Sequence, residues 1–588
     1  MSRFRLTRRS AIAGLGTVAL AGVIGAGVAR HLQQGREARL LALVPEASPG
    51  WTSRVSELHD RLGRGDFAAA AESAGYLTDE AFARADRVVE WWLAKRSNYR
   101  NMLPREALRQ TRPVWNYRDC AADMYCHFVI QASLMAPRHL ENLREILAAE
   151  RALSRDLPRA IYLDTGDRLD DTLDEQIFGA VEYAKDGLLP ILERVGPTEW
   201  LDRMHEVVDG IISASPVESR HGRLPSEGTE KNGEFLQVLA RLYHRERDPS
   251  YLVAGRAIAD AYTQEVLPFG DGLPSMTWDF KAGEPRSRKF RVRDHGNEII
   301  SGLAEWIVAE SVAPEGQAEK YRPAVEHMMD KLLDRARDAS GLWDDRIQTE
   351  QRPRPNHPVN DNWGYLTAGY VGYALSLPES SPLRRRYLDE STRALASVIG
   401  YRGSPWERGR MDGYADTIEG GCYVLPYLDV DGAARWIDDQ AGILMAYQQP
   451  EGFVGGTYLD GNFVRTSLAY AFYRTQGARP DPWRPSLRLG AVTSPHGLHV
   501  SIASGAPWSG RLVFDKNRHR DHLRLEKEYP RLNGWTEWFT IDPALQYEVT
   551  RSAPDVPAET MLVDGATLAA GLPVEVTRPM SLTIARRA

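Results

Sequence analysis

Apolar positions recur along most of this chain with the period of an α-helix, and they fall into two kinds of segment. In Ala85–Arg96, His139–Leu153, Tyr251–Val266, Gln317–Asp338, Leu383–Ile399 and Ala433–Gln448, apolar residues repeat at i, i+3, i+4 and i+7 with charges between. That spacing predicts amphipathic helices with one wet face. Ala121–Ala136, Glu175–Leu192, Glu234–His244, Glu298–Glu310, Gly364–Leu377, Ile418–Leu428 and Phe463–Tyr473 alternate with them. These carry few charges after the first turn and many Gly, Ala and aromatic residues, which predicts helices buried on all sides.

Each buried segment begins near an acid: Asp119, Asp174, Glu230, Asp294, Asp361, Asp416 and Asp460. The result is a loose repeat of helical hairpins, longer than common solenoid units. Acids at helix starts can simply cap free N–H groups and complement the dipole. Some seven such hairpins close either as an open solenoid or as a ring with the apolar helices inside.

The pattern changes after Pro480-Asp481-Pro482-Trp483-Arg484-Pro485. Beyond this linker, short alternating runs are separated by turn residues: Leu487–Val492, Gly497–Ile502, Gly510–Phe514, Leu523–Leu525, Glu537–Ile541, Gln546–Thr550, Met561–Val563, Val574–Thr577 and Ser581–Ile584. They predict a small antiparallel β-sandwich. The fold class expected is mainly α: six or seven hairpins in an (α/α) toroid, then the sandwich. The expected divisions are 1–30 (export signal or anchor), 31–80 (N-terminal segment), 81–480 (toroid) and 485–588 (sandwich).

Composition adds modest constraints. Of 588 residues, 43% are hydrophobic and 26% charged, as in a globular protein, and the net charge of -7 leaves no polybasic footprint for nucleic acid. Three cysteines, Cys120, Cys126 and Cys422, form no disulfide framework and no metal-ligand spacing. Thr7-Arg8-Arg9-Ser10 ahead of the apolar run Ala11–Ala29 reads as an export signal of the twin-arginine kind, with an uncleaved membrane anchor as the alternative. No Walker loop, dinucleotide fingerprint, zinc set or nucleophile elbow is present, so no cofactor or metal is expected.

The alternation, the hairpin length and the acid-, Trp- and Gly-rich starts of the buried helices resemble the (α/α) toroid of carbohydrate-active enzymes. That group includes six-hairpin glycosidases, unsaturated uronyl hydrolases and toroid-plus-sandwich polysaccharide lyases. The resemblance covers roughly 80–480 and singles out no one family. It implies a polysaccharide or oligosaccharide partner held at one end of the ring.

The candidates follow from the helix starts. Glu230 and Glu234 lie four apart on one face and, with Asp361 or Asp416, offer the two carboxylates of glycoside hydrolysis. Trp343 and Trp363 offer faces for sugar stacking. Asp344, Asn362 and Tyr414 add polar contacts. Arg293-Asp294-His295-Gly296-Asn297-Glu298 supports a second reading, a lyase. There His295 or Tyr117 removes the C5 proton of a uronate, while Arg293 and Asn297 meet its carboxylate. In this stretch Asp294 stands where toroid lyases carry Asn. A third reading is a non-catalytic glycan-binding envelope protein, which needs the ring but not clustered acids.

Overall fold

The structure is a computed structural model and describes residues 39–587 except 110–111, 288, 294–295, 345, 349–358 and 402–404. The export-signal stretch and the pair Asp294 and His295 therefore lie outside the described residues.

Seven helices form an inner ring. The first is π-helical over Tyr117–Tyr125 and continues as Cys126–Leu134. The second runs from Leu173–Glu182 through π-helical Tyr183–Leu188 into Leu189–Arg194. The others are Thr229–Glu246, Glu298–Ser311, Trp363–Ser376, Met411–Val424 and Asp460–Arg474. Each packs on the next, and the seventh returns to the first, so the ring is closed. An outer helix backs each one: Leu140–Leu153, Glu199–Ala214, Pro249–Ala261, Ala318–Arg335, Pro382–Gly400 and Ala433–Ala446 back the first six in order. The seventh is backed by Phe67–Leu93, near the other end of the chain. The chain thus closes its own circle, and Phe67–Leu93 runs straight through position 80, where the N-terminal segment was expected to end.

The two kinds of hydrophobic pattern have different packing consequences. Ala318–Arg335 buries Ala318, Tyr321, Val325, Met328, Met329 and Leu332, one stripe at helical spacing. Trp363–Ser376 buries every residue from Trp363 through Ala374. Neighbouring inner helices meet backbone to backbone. A Cβ on Gly233 would lie 2.3 Å from the Ile299 nitrogen, and one on Gly364 would lie 2.4 Å from the Gly420 carbonyl carbon. Any side chain at these positions would push the ring apart.

The C-terminal region has two antiparallel sheets around a core of its own. The five-stranded sheet has the spatial order Leu487–Ser494, Gly497–Ser504, Met580–Arg586, Gln546–Ala553, Val556–Asp564. The three-stranded sheet has the order Leu572–Val576, Trp508–Val513, Arg479–Asp481. Its first long strand docks on Phe67–Leu93, where Gly490 lies against the Gly75 backbone.

Two expected strands are corrected. Leu523 ends the helix Arg518–Leu523, and Thr540 makes only an isolated bridge to Asp515. The stretch from Arg518 to Trp538 leaves the sandwich and plugs the far end of the toroid. There Leu523, Leu525, Tyr529, Leu532 and Trp535 join the helical core. Their apolar spacing serves burial inside the ring rather than sheet pairing. Among the described residues no helix is long and apolar enough to cross a membrane.

Candidate active site

A cavity of about 330 Å³ opens where the inner helices begin, and all seven contribute side chains to it. Asn533, from the sandwich-borne plug, lies in its floor, and its backbone N–H donates to the Tyr423 hydroxyl at 2.9 Å. Nine carboxylic acids and three cationic side chains line the cavity.

One wall is built by the second, third and fourth inner helices. Carboxylate oxygens of Glu182, Asp186 and Glu234 lie within 4.8 Å of one another, the one group in this cavity spaced to share a cation, among the described residues. The Lys185 ammonium sits 2.8 Å from Asp186 and 3.1 Å from Glu298, and Gln237 donates to Glu298 at 2.7 Å. Burial, reinforced by neighbouring acids, pushes Glu182 and Glu234 well above the usual carboxylate range. Burial also works against the charged form of Asp186, but Lys185 and a hydrogen bond from Glu182 outweigh it, and its pKa is lowered. Lys185 lies in the same balance: burial disfavours its charge, Asp186 and Glu298 favour it more, and its pKa is raised.

The facing wall comes from the fifth, sixth and seventh helices. Asp416 accepts from the Asn362 amide at 2.9 Å, the Tyr365 hydroxyl at 3.0 Å and the Arg465 guanidinium at 3.1 Å. Arg465 also pairs with Glu419 at 2.8 Å. One turn earlier on the same helix, Asp412 accepts from the Asn462 amide at 2.9 Å, its one hydrogen-bond partner among the described residues. Burial and then the charge of Asp416 raise the Asp412 pKa well above the usual range. Asp123 is raised likewise, by burial and then by Asp186, Asp119 and Asp412.

Of the residues singled out from sequence, Glu230, Glu234, Asp416 and Asn362 meet in this cavity. Others do not. Asp361 is buried beside Arg293, at 3.9 Å, and its carbonyl accepts from the Thr417 hydroxyl; neither Asp361 nor Arg293 is among the described residues lining the cavity. Asn297 is buried at the start of its helix. The Asp344 backbone is tied to Ala336 and Val359, and its side chain is buried. Trp343 packs on Tyr370 with Arg337 over its ring, and Trp363 is fully buried with its edge on Trp436. Neither indole has a face to offer a sugar, so the stacking expectation is corrected for both. Tyr414 is buried against Tyr447. Tyr117 is buried with its hydroxyl 3.2 Å from Glu150, and desolvation raises its pKa, so it is a packed phenol rather than a base for this cavity. His295 lies outside the described residues.

Besides Asp412, passed over at a helix start in favour of Asp416, sequence reasoning missed Asp123, Glu182, Lys185, Asp186 and Arg465. A signal was available: each is a charge within an otherwise apolar inner helix. Asp123 lies in the π-helical stretch of the first inner helix, Lys185 and Asp186 in that of the second. Such widened turns occur frequently at functional sites. Asp460, by contrast, is structural: it accepts from the backbone of Val454 and Gly455 and from the Trp92 indole.

No family model and no curated protein matches the chain. Solved structures with a similar chain course include a possible GH105 member from Salmonella enterica, at 12% identity and TM-score 0.39, covering 53% of this chain and 87% of that one. Another is an inactive variant of the α-1,6-mannanase GH76A of Salegentibacter sp. HEL1_6, at 12% identity and TM-score 0.36, covering 68% and 98%. A third is a polysaccharide lyase at 12% identity and TM-score 0.34, covering 67% and 98%. The neighbours are thus glycoside hydrolases and a polysaccharide lyase, and scores this low carry no argument about chemistry. The architecture itself is a seven-hairpin (α/α) toroid with a β-sandwich, enclosing an acid-lined cavity at one end.

Proposed function

We propose that this chain is an exported glycoside hydrolase that cleaves a polysaccharide or oligosaccharide with the pair Asp412 and Asp416. One observation carries the reading. Two carboxyl groups one helical turn apart reach the same cavity in different environments, Asp416 held by Arg465, Tyr365 and Asn362, Asp412 without a cationic partner among the described ion pairs and shifted towards its protonated form. Neighbouring acids in environments this different divide into proton donor and base or nucleophile. Asp412 would protonate the glycosidic oxygen as the bond to the anomeric carbon breaks. Asp416 would attack that carbon or take a proton from the incoming water. Asn362, Asn462, Tyr458 and Asn533 supply hydrogen-bonding groups for hydroxyls around the cavity. The export part rests on the arginine pair and apolar run at the N-terminus.

The test is product analysis on a panel of glycans. Hydrolysis yields new reducing ends without ultraviolet absorbance, and Asp412→Asn and Asp416→Asn should each lower its rate about 10²–10⁴-fold. An unsaturated, ultraviolet-absorbing product, or full turnover by the Asp416→Asn variant, would overturn the assignment.

A further inference from the structure

The cavity holds more acid than its cations can balance. Arg118 is engaged by Asp119 at 3.2 Å, Lys185 by Asp186 and Glu298, and Arg465 by Asp416 and Glu419. Lys231, close by on the third inner helix, turns its ammonium to Asp174 at 2.5 Å instead. This leaves Asp123, Glu182, Glu234 and Asp412 without a cationic partner among the described ion pairs. Helix dipoles at the ring mouth favour the acids of the first turns, but Glu182 lies at the end of the ten-residue segment Leu173–Glu182, far from its start. Glu234 is 3% exposed, and its Oε2 has no hydrogen-bond partner. A buried carboxyl oxygen left unmet in the wall of an open cavity points to a donor that arrives from outside.

Resting on the reading of this cavity as the glycan-cleaving site, we infer that its substrate class is a saccharide bearing free amino groups, with an ammonium seated against Glu182 and Glu234. The wall already holds one ammonium, Lys185, in direct contact with Asp186. A divalent ion at the same carboxylates would double both the repulsion from Lys185 and the attraction to the acids, so the calcium arm below is what separates it from an ammonium. A uronate would add a negative charge to the surplus, so the uronate-bearing substrates suggested by the sequence fit this wall poorly.

Ligand-observed NMR with the full chain at low salt tests this. The probes are glucosamine, galactosamine and mannosamine, each against its N-acetyl counterpart, with galacturonate as the anionic control. At least one amine should bind ten times or more tighter than its N-acetyl form. Glu182→Gln should remove that preference while leaving the circular dichroism spectrum unchanged, and Glu234→Gln provides a second, independent variant. No preference for any of the three amines, or tighter binding of galacturonate, overturns the inference. So does a rise in Tm with calcium alone that Glu234→Gln abolishes, since that makes the cluster a metal site. Amine preference without cleavage of any amine-bearing glycan retains the substrate class and removes the hydrolase reading. Cleavage of neutral glycans without amine preference does the reverse.

Discussion

The two ends of the toroid bore bury charge by opposite rules. At the plugged end every acid meets a cation. Glu193 is bound by Arg531 at 2.8 Å and by the Trp535 N–H at 2.9 Å; Arg241 pairs with Glu305 at 2.7 Å, and Arg518 with Asp515 at 3.0 Å. Despite burial, the nearby Arg531 and Arg241 bring the Glu193 pKa down to about 2. At the open end Glu182, Glu234, Asp123 and Asp412 are pushed the other way by the same burial. Burial alone does not set the protonation state here: cations within reach oppose it, enough to bring Glu193 down but not Glu528, which stays raised to about 7 with Arg531 at 3.1 Å. One end is a charge-matched lock between two structural regions. The other keeps Asp123, Glu182, Glu234 and Asp412 without a cation among the described ion pairs, beside the paired Asp119, Asp186 and Asp416, and acids perturbed in this way cluster at functional sites.

The comparison breaks hardest at Arg531. Arg531→Met takes the nearest cation from buried Glu193, leaving Arg241 at 3.7 Å, and should cost about 3 kcal/mol, read as a fall in the urea midpoint. At the open end, Asp416→Asn leaves Arg465 paired with Glu419, so it should lower that midpoint less than Arg531→Met does, while lowering turnover about 10²–10⁴-fold on whichever glycan is cleaved. A retained rate would show that the matched and unmatched ends do not divide structure from catalysis.

pH separates the ends by sign. Glu193 has its pKa lowered from 4.5 to about 2, so its contribution is fully present above 4.5 and is lost as pH falls towards 2. This is of order 3 kcal/mol. The raised acids of the cavity behave oppositely. They hold protons that the unfolded chain releases, so their contribution is greatest below the ordinary carboxylate range and fades as pH rises through their raised values. Stability measured against pH should therefore fall on both sides, and Arg531→Met should flatten only the acid limb.

The smallest effect sharpens the contrast most. Glu234→Gln removes an unmatched buried acid, so above neutral pH it should be neutral or stabilising by up to about 1 kcal/mol. Glu193→Gln, the same chemical change at the matched end, should destabilise. Equal signs for the two would refute the distinction.

The helical pattern makes much of this molecule legible in the sequence. The buried helix Trp363–Ser376 and the striped helix Ala318–Arg335 announce themselves because burial on all sides or on one side leaves different periodicities. The cavity was legible in part, through Glu230, Glu234, Asn362 and Asp416 at helix starts. Trp363 misled because an indole beside an acid at a helix start looks the same whether it faces a sugar or a neighbouring tryptophan. Lys185 and Asp186 were overlooked because a charge within an apolar helix has meaning only once its neighbours across the ring are known.

By itself the sequence determined the local conformations, the alternation of inner and outer helices and the glycines that let them touch, since these depend on residues a few positions apart. Only the tertiary structure decided that the ring closes with seven hairpins, that Phe67–Leu93 completes it from the other end of the chain, and that residues from Arg518 to Trp538 leave the sandwich to plug the bore. It alone decided which acids have a cation within reach. Pairing across the ring joins residues as far apart as Glu193 and Arg531, and Coulomb energy depends on distance in space rather than along the chain.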